Sequence, residues 1–188
     1  MPTIFTHAAV PLMLGAAVGR RRVSAPLLVA GAVAAMLPDA DVLGFALHVP
    51  YASAFGHRGA THSLAFALLL AVVAALCCRW LRTTPWRGAV FVGLAALSHP
   101  LLDACTNGGL GVGLWWPFSN ARWFAPFHPI AVSPIGAGFF SARGWRVMQS
   151  ELLWVWLPAA VVAICVVVGL RVFSRASARV HAEGEFVE

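Results

Sequence analysis

The sequence predicts an all-α membrane protein, a polytopic helix bundle with three long spans, a short N-terminal helical hairpin and an interfacial aromatic-rich loop. Of its 188 residues, 60% are apolar, whereas soluble domains usually contain about 45–50% apolar residues. Three apolar runs are long enough to cross a bilayer. All 13 basic residues are arginines that lie mainly between apolar runs, which indicates membrane topology rather than a nucleic-acid-binding face.

The three long spans are predicted at residues 62–80, 88–106 and 152–173. Each has about the 20 residues that a helix needs to cross roughly 30 Å of hydrocarbon. Residues 1–173 are expected to form a single membrane-embedded domain, and residues 174–188 a polar C-terminal tail.

Two shorter apolar segments, 5–19 and 25–37, precede these spans. At about 1.5 Å per residue, each reaches only some 20 Å. They either span a thinned bilayer or form a re-entrant hairpin. Ser24 is a suitable N-cap and Pro26 an early helical residue, and Pro38 is expected to end the second arm.

Residues 105–150 are rich in glycine, proline and aromatic residues. This composition predicts an interfacial loop, or a lid of short helices, at headgroup level. We favour an aromatic belt over substrate recognition for residues 115–119. Glu151 is expected only to complement the positive end of the following helix.

The predicted helices place most of the histidines and buried acids on one side of the membrane and the basic turns on the other. Nine arginines lie on the basic side and four on the histidine side. By the positive-inside rule the basic side is cytoplasmic. The histidine side therefore faces outward, with the N-terminus outside and the C-terminus inside.

The histidine side carries residue types that bind metal ions. His99 and Asp103 are four residues apart, which puts both side chains on one face of a helix. Taken alone, such a pair is more often a capping or hydrogen-bonding pair. The other candidates also have purely structural explanations. Asp39 and Asp41 could belong to a turn that follows the end of a helix. Residues 57–63 could be polar residues at the membrane interface, with Thr61 as the N-cap of the next helix.

Taken together, four histidines and three aspartates form a set of nitrogen and oxygen ligands. Such a set suits zinc, manganese or iron and disfavours copper(I) or a thiolate cluster. One catalytic zinc needs three protein ligands and a water, so this larger set indicates two ions, or one ion with outer carboxylates that hold the imidazoles. Arg58 either clamps a phosphate or anchors the chain at the interface. His48 and His128 are expected at the surface, and the four cysteines predict no thiolate site.

Several strings resemble the YdjM family of bacterial inner-membrane proteins, usually described as membrane-bound, metal-dependent hydrolases. They are the early His7, Pro-Asp-x-Asp at 38–41, His-Arg-Gly-x-Thr-His-Ser at 57–63 and Ser-His-x-x-x-Asp at 98–103, with a later Trp-Pro pair at 116–117. The order of ligands is more distantly similar to the zinc-dependent phospholipase C and nuclease superfamily. The chain departs from that pattern after Asp103, because no further ordered His and His-x-x-x-Glu ligands follow.

Ligands and resemblance together predict a membrane-bound, metal-dependent hydrolase of an ester or phosphodiester bond in the bacterial inner membrane. The expected cofactor is one or two divalent ions, zinc or else manganese. The expected partners are membrane lipids and a lipid or phosphoester substrate, without nucleic acid. The alternative is a non-catalytic scaffold or a metal-binding or transport protein, although the long spans carry no ionisable group at mid-depth, which disfavours transport.

The sequence assigns a role to each candidate site residue. The expected metal ligands are His7, Asp39, Asp41, His57, His62, His99 and Asp103. Of these, His57, His62 and Asp103 are also the expected catalytic residues. Arg58, Thr61 and Ser63 are expected to contact substrate or the ligands.

Overall fold

The computed structural model describes residues 1–134 and 136–184, with the side chains of residues 1–134 and 138–174. Within this part of the chain there are helices, two isolated β-bridges and no strand, so the predicted all-α class is confirmed. The α-helices are α1 (Ile4–Val18), α2 (Ala25–Met36), α3 (Leu43–Ala46), α4 (Leu64–Leu76), α5 (Pro85–Ala104), α6 (Ala142–Glu151) and α7 (Leu157–Gly184). Short 3-10 segments at Leu37–Val42, Ala60–His62 and Gly136–Phe139 and a π-helical turn at Leu152–Trp156 complete the helical elements.

The structure does not support three long spans. Among the described residues, two helical runs are long and apolar enough to cross a membrane, Ala25–Ala46 and Ala142–Ser174. The predicted span at 62–80 is the 13-residue helix α4, which ends before the turn at 77–83. Helix α5 has 20 residues, but its arginine, prolines, His99 and Asp103 reduce its apolar character.

The second arm of the hairpin is longer than the sequence indicates. Pro38 does not stop the helical run, because it lies in the first turn of a 3-10 segment, where its missing N–H costs no hydrogen bond. The run continues to Ala46. At the other end, Ser24 caps α2 as predicted by accepting a hydrogen bond from the Leu27 amide at 3.2 Å.

Close helix packing depends on two glycines that face Phe91. A Cβ on Gly15 would lie 2.8 Å from Phe91 Cζ, and a Cβ on Gly31 would overlap Phe91 Cε1. Small residues allow helix backbones to approach closely in a membrane bundle. The apolar core next to this contact is formed mostly by α2, α4 and α5, and α1 packs against α2 and α7.

The helix termini form two distinct ends. Ser24 donates a hydrogen bond to the Leu81 carbonyl, which places the arginine turn between α1 and α2 beside the α4–α5 turn. Trp80 and Trp86 are exposed at this end, and Trp115, Phe118, Phe140 and Trp145 are exposed in the segment that follows α5. Exposed aromatic residues at both ends are typical of membrane interfaces.

The segment after α5 is an irregular loop rather than a series of short helices up to residue 134. Backbone hydrogen bonds attach it to the bundle, from Ala125 N–H to the Ala104 carbonyl and from Gly113 N–H to the Arg58 carbonyl. Residues 142–184 then form one helical run with the π-helical turn inside it. Of the predicted polar tail, residues 174–184 belong to α7, whereas residues 185–188 lie outside the described part.

Candidate metal centre

Helix ends and one loop bring the predicted ligands to the same end of the bundle. His7 lies in the first turn of α1, the two aspartates 39 and 41 in the 3-10 segment after α2, and His62 just before α4. His99 and Asp103 occupy the last turns of α5. Ser63, and not the predicted Thr61, is the N-cap of α4, since its Oγ accepts from the Phe66 amide.

Four buried side chains form the inner group of the site: Asp39, His62, His99 and Asp103. One ligand atom from each lies within 4.8 Å of the others. His99 Nε2 is 3.4 Å from Asp39 Oδ1, and His62 Nε2 is 3.3 Å from Asp103 Oδ2. These distances are short enough for all four side chains to bind a single cation.

The two inner imidazoles point their Nε2 atoms at each other, 3.0 Å apart. His99 must donate through Nδ1, because its partner there is the Ala35 carbonyl at 2.7 Å. His62 Nδ1 lies 3.2 Å from a carboxylate oxygen of Asp41, which also requires a donor. When both imidazoles are neutral, each therefore directs its Nε2 lone pair at the other, and a cation held by the two residues would relieve this repulsion.

Asp41 contacts the imidazoles from outside the inner group. Its carboxylate accepts hydrogen bonds from the Thr61 hydroxyl at 2.7 Å and the Arg58 amide at 3.1 Å. It also lies 2.6 Å from His57 Nδ1 and 3.2 Å from His62 Nδ1. With these four contacts its oxygens are satisfied by the protein, and Asp41 orients two imidazoles as outer carboxylates do in metal sites.

His7 flanks the inner group. Its ring stacks on that of His99 at a centroid distance of 3.7 Å, and its Nε2 lies 3.5 Å from Asp103 Oδ1. The side chain is fully buried, and neither ring nitrogen has a hydrogen-bond partner among the described residues. His7 therefore lies beside the inner group with both ring nitrogens free of hydrogen bonds to the described residues.

The three residues expected to contact substrate or ligands have different surroundings. Arg58 is buried, with Nε 3.3 Å from Asp103 Oδ2, and Thr61 contacts Asp41. Ser63 lies outside the centre, because its hydroxyl caps α4 and donates to the Ala60 carbonyl. His48 and His128 are exposed, as predicted.

The inner group has the chemistry of a divalent cation site. Neither oxygen of Asp39 or Asp103 has a hydrogen-bond partner in the described part of the chain, although all four atoms are buried. Buried carboxylates that accept no hydrogen bond are costly. With neutral histidines, the three aspartates and Arg58 leave two negative charges, which one divalent ion would neutralise. Nitrogen and oxygen ligands suit zinc, manganese or iron.

The pKa of His62 reflects the same excess of negative charge. Burial alone would lower the pKa of this imidazole, but the adjacent carboxylates of Asp103 and Asp41 outweigh burial and raise the pKa to about 9. A proton on His62 thus serves as the cation of the metal-free site. A divalent ion held by the inner group would supply positive charge in place of that proton.

Residues 1–177 match the sequence model of the family described as YdjM inner membrane protein. The chain belongs to the YdjM family. It is 49% identical over 163 residues to the inner membrane protein YbcI of Escherichia coli (strain K12), an alignment that covers 84% of this chain and 92% of that relative. No solved structure matches the chain. Its membership in an inner-membrane family agrees with the two helical runs long enough to span a membrane.

The contacts of two polar side chains of this YdjM-family protein, the buried Glu151 and the half-buried Arg122, were not predicted. Glu151 is fully buried and accepts hydrogen bonds from both the amide and the hydroxyl of Thr3 and from the Thr6 hydroxyl. Arg122 donates to the carbonyls of Tyr51, Ser53 and His57, and burial lowers its pKa. Glu151 connects α6 to the start of α1, next to His7, and Arg122 braces the loop that carries His57.

Proposed function

We propose that this protein is a membrane-bound, metal-dependent hydrolase that cleaves an ester or phosphodiester bond of a lipid or lipid-linked substrate. The observation that carries the proposal is the inner group of two imidazoles and two carboxylates, whose buried oxygens accept no hydrogen bond from the described residues. Such an arrangement costs stability in a structural scaffold but is what a metal centre requires.

The contacts favour one ion held by Asp39, His62, His99 and Asp103. A second ion at Asp41, His57 and His62 would have to displace the hydrogen bonds that Asp41 already accepts. Zinc is the first candidate and manganese the second. A divalent ion held by these residues would supply Lewis acidity and would lower the pKa of a water toward neutrality.

His57 is the proposed acid–base residue. Its Nδ1 lies 2.6 Å from Asp41 Oδ1, which fixes the tautomer with the proton on Nδ1 and leaves the Nε2 lone pair to accept a proton. A carboxylate that holds an imidazole in this way also stabilises the imidazolium that forms. The His57 ring is 5.7 Å from the His62 ring, close enough to serve a substrate at the inner group.

The proposed substrate carries an apolar chain, because the cavity that reaches the inner group is mostly apolar. This cavity has a volume of about 230 Å³ and includes Asp39 in its wall. Its other lining residues include Ile4, Phe5, Val42, Pro134 and Phe139. A phosphoester lipid can place its headgroup at the ion and its chain in this cavity.

In the proposed topology the chain crosses the inner membrane several times, with the metal centre on the outer face and the C-terminus in the cytoplasm. Support comes from the arginines at 20–22, 79, 82, 87 and 171, which the fold gathers at the end opposite the centre. A substrate in the outer leaflet would then reach the centre laterally.

The experiment combines metal analysis with turnover. Full-length protein in detergent is stripped with a chelator, reloaded with zinc or manganese, and incubated with diacyl phospholipids, and mass spectrometry identifies released headgroups or fatty acids. We expect His57→Gln to retain metal and to lose about 10²–10⁴-fold in rate. Asp39→Asn should lose both metal and turnover, and the exposed control His128→Ala should retain both.

Two results would contradict parts of the proposal. Stoichiometric metal without cleavage of any ester or phosphodiester would favour the non-catalytic scaffold. Absence of bound metal after reloading with each ion would remove the metal centre itself.

A further inference from the structure

The end of the molecule opposite the metal centre contains a cavity lined by four arginines. Arg20, Arg21 and Arg22 reach it from the turn between α1 and α2, and Arg171 reaches it from α7. The cavity has a volume of about 450 Å³, and Val18, Leu170 and Ser174 also line it. Its size and charge suit a phosphate-containing headgroup rather than a single small ion.

An apolar groove continues from this cavity toward the middle of the bundle. It lies between α1 and α7, has a volume of about 540 Å³, and is lined by residues such as Met13, Ala17, Ala163 and Ile164. Arg171 lines both the groove and the arginine cavity. A ligand that occupies both spaces must have an anionic head and an apolar tail.

The charges of the arginine cavity are not balanced by a nearby acid in the described part of the chain. The acidic side chains described there are Asp39, Asp41, Asp103 and Glu151, and all four lie at the opposite end of the bundle. Basic pockets between membrane helices bind anionic lipid headgroups. We propose that the arginine cavity and the α1–α7 groove together form a specific site for an anionic phospholipid of the surrounding bilayer.

A second basic turn provides a matched comparison. Arg79, Arg82 and Arg87 lie on the same side of the predicted membrane and are exposed, but they do not line the arginine cavity. If the arginines served only as topology signals, removal of either set would have the same effect on lipid binding. The proposal instead requires the set at 20–22 to select anionic lipid.

The test is native mass spectrometry of the full-length protein in detergent, titrated separately with phosphatidylglycerol and phosphatidylcholine. Each arginine near an anionic surface is worth about fivefold in binding. We therefore expect the triple change of Arg20, Arg21 and Arg22 to glutamine to weaken phosphatidylglycerol binding by about 100-fold. The triple change of Arg79, Arg82 and Arg87 to glutamine should have little effect, and phosphatidylcholine binding should be weak throughout.

Two single variants distinguish loss of the lipid site from an effect on membrane insertion or folding. Arg171→Gln leaves the turn at 20–22 intact and should weaken phosphatidylglycerol binding about fivefold. Ala163→Leu narrows the groove and should weaken binding of the diacyl lipid without weakening that of water-soluble glycerol phosphate. Equal binding of the two lipids to wild type, or equal losses in both triple variants, would overturn the proposal. The proposal would also be overturned if glycerol phosphate bound the site as tightly as phosphatidylglycerol does.

Discussion

Arg58 and Asp103 form an ion pair inside the protein, with 3.3 Å between Nε and Oδ2 and side chains that are 1% and 0% exposed. The other two guanidinium nitrogens donate to the Gly108 carbonyl and the Thr106 hydroxyl. The guanidinium is therefore engaged by the protein on all sides. These contacts favour a role in which Arg58 positions Asp103 over one in which it clamps a substrate phosphate.

The first prediction concerns Arg58→Gln. Removing one partner of a buried ion pair costs about 3–5 kcal/mol, because the remaining charge stays buried and unpaired. The decrease in unfolding free energy should be large in metal-free protein. It should be smaller in metal-loaded protein, because a divalent ion at Asp103 supplies the missing positive charge. Denaturant unfolding in detergent, with and without chelator, measures both values.

Arg143→Gln, at an exposed position, is the control for that experiment and should change the free energy of unfolding by less than about 0.5 kcal/mol. An equal loss for Arg58→Gln in both metal states would mean that no cation reaches Asp103.

The sequence contained enough information to identify the candidate ligands but not to distinguish inner from outer ones. Hydrophobic segments predict where helices end, and all seven candidates lie at or near such ends on one side. Asp39 and Asp41 differ by two positions and look equivalent in sequence. In the structure Asp39 faces His99, whereas Asp41 contacts two imidazoles from outside. The difference depends on the geometry of the 3-10 segment, which no local pattern in the sequence specifies.

The second prediction separates the two aspartates. Asp39→Asn removes an inner carboxylate and should abolish metal binding. Asp41→Asn keeps the inner group but weakens the orientation of His57 and His62, and losses of outer partners typically cost about 10–100-fold in metal affinity. Metal affinity by competition with a chromophoric chelator distinguishes the variants. Equal losses of metal affinity in the two variants would mean that Asp41 binds the metal directly.

The third prediction is that metal binding releases a proton at neutral pH. In metal-free protein the pKa of His62 is raised from 6.5 to about 9, so its protonated form contributes stability that is lost as pH rises through that value. An imidazole must lose its proton before it can bind a metal, and metal affinity should therefore rise with pH by about tenfold per unit. The rise should stop above about pH 9.

Calorimetry in buffers of different ionisation enthalpy counts the released protons. We expect about one proton from His62 in the wild type. A proton count of zero at neutral pH would show that His62 is already neutral without metal.

The fourth prediction concerns Glu151, which the sequence indicated only as a charge at the start of a helix. Such a role is worth about 0.3–1 kcal/mol. The buried carboxylate instead accepts three hydrogen bonds from two threonines, at 2.5 to 2.6 Å. In Glu151→Gln the amide NH₂ must face a donor, which costs about 1–3 kcal/mol in unfolding free energy. Gln149→Ala, on the exposed side of α6, is the control. If Glu151→Gln lowers the unfolding free energy no more than this control does, Glu151 acts only as a charge at a helix end.

The fifth prediction uses two glycines that have the same helical propensity but different surroundings. A Cβ at Gly31 would overlap Phe91, whereas a Cβ at Gly169 in α7 meets nothing within 4 Å. Gly31→Ala should therefore destabilise the protein by about 1–3 kcal/mol through overpacking. Gly169→Ala should stabilise it by up to about 1 kcal/mol, because alanine lowers the entropy cost of the helix. Phe91→Leu removes the obstructing ring edge and should reduce the cost of Gly31→Ala in a double-mutant cycle. Additive effects of the two changes would mean that α2 and α5 do not pack as closely as the structure places them.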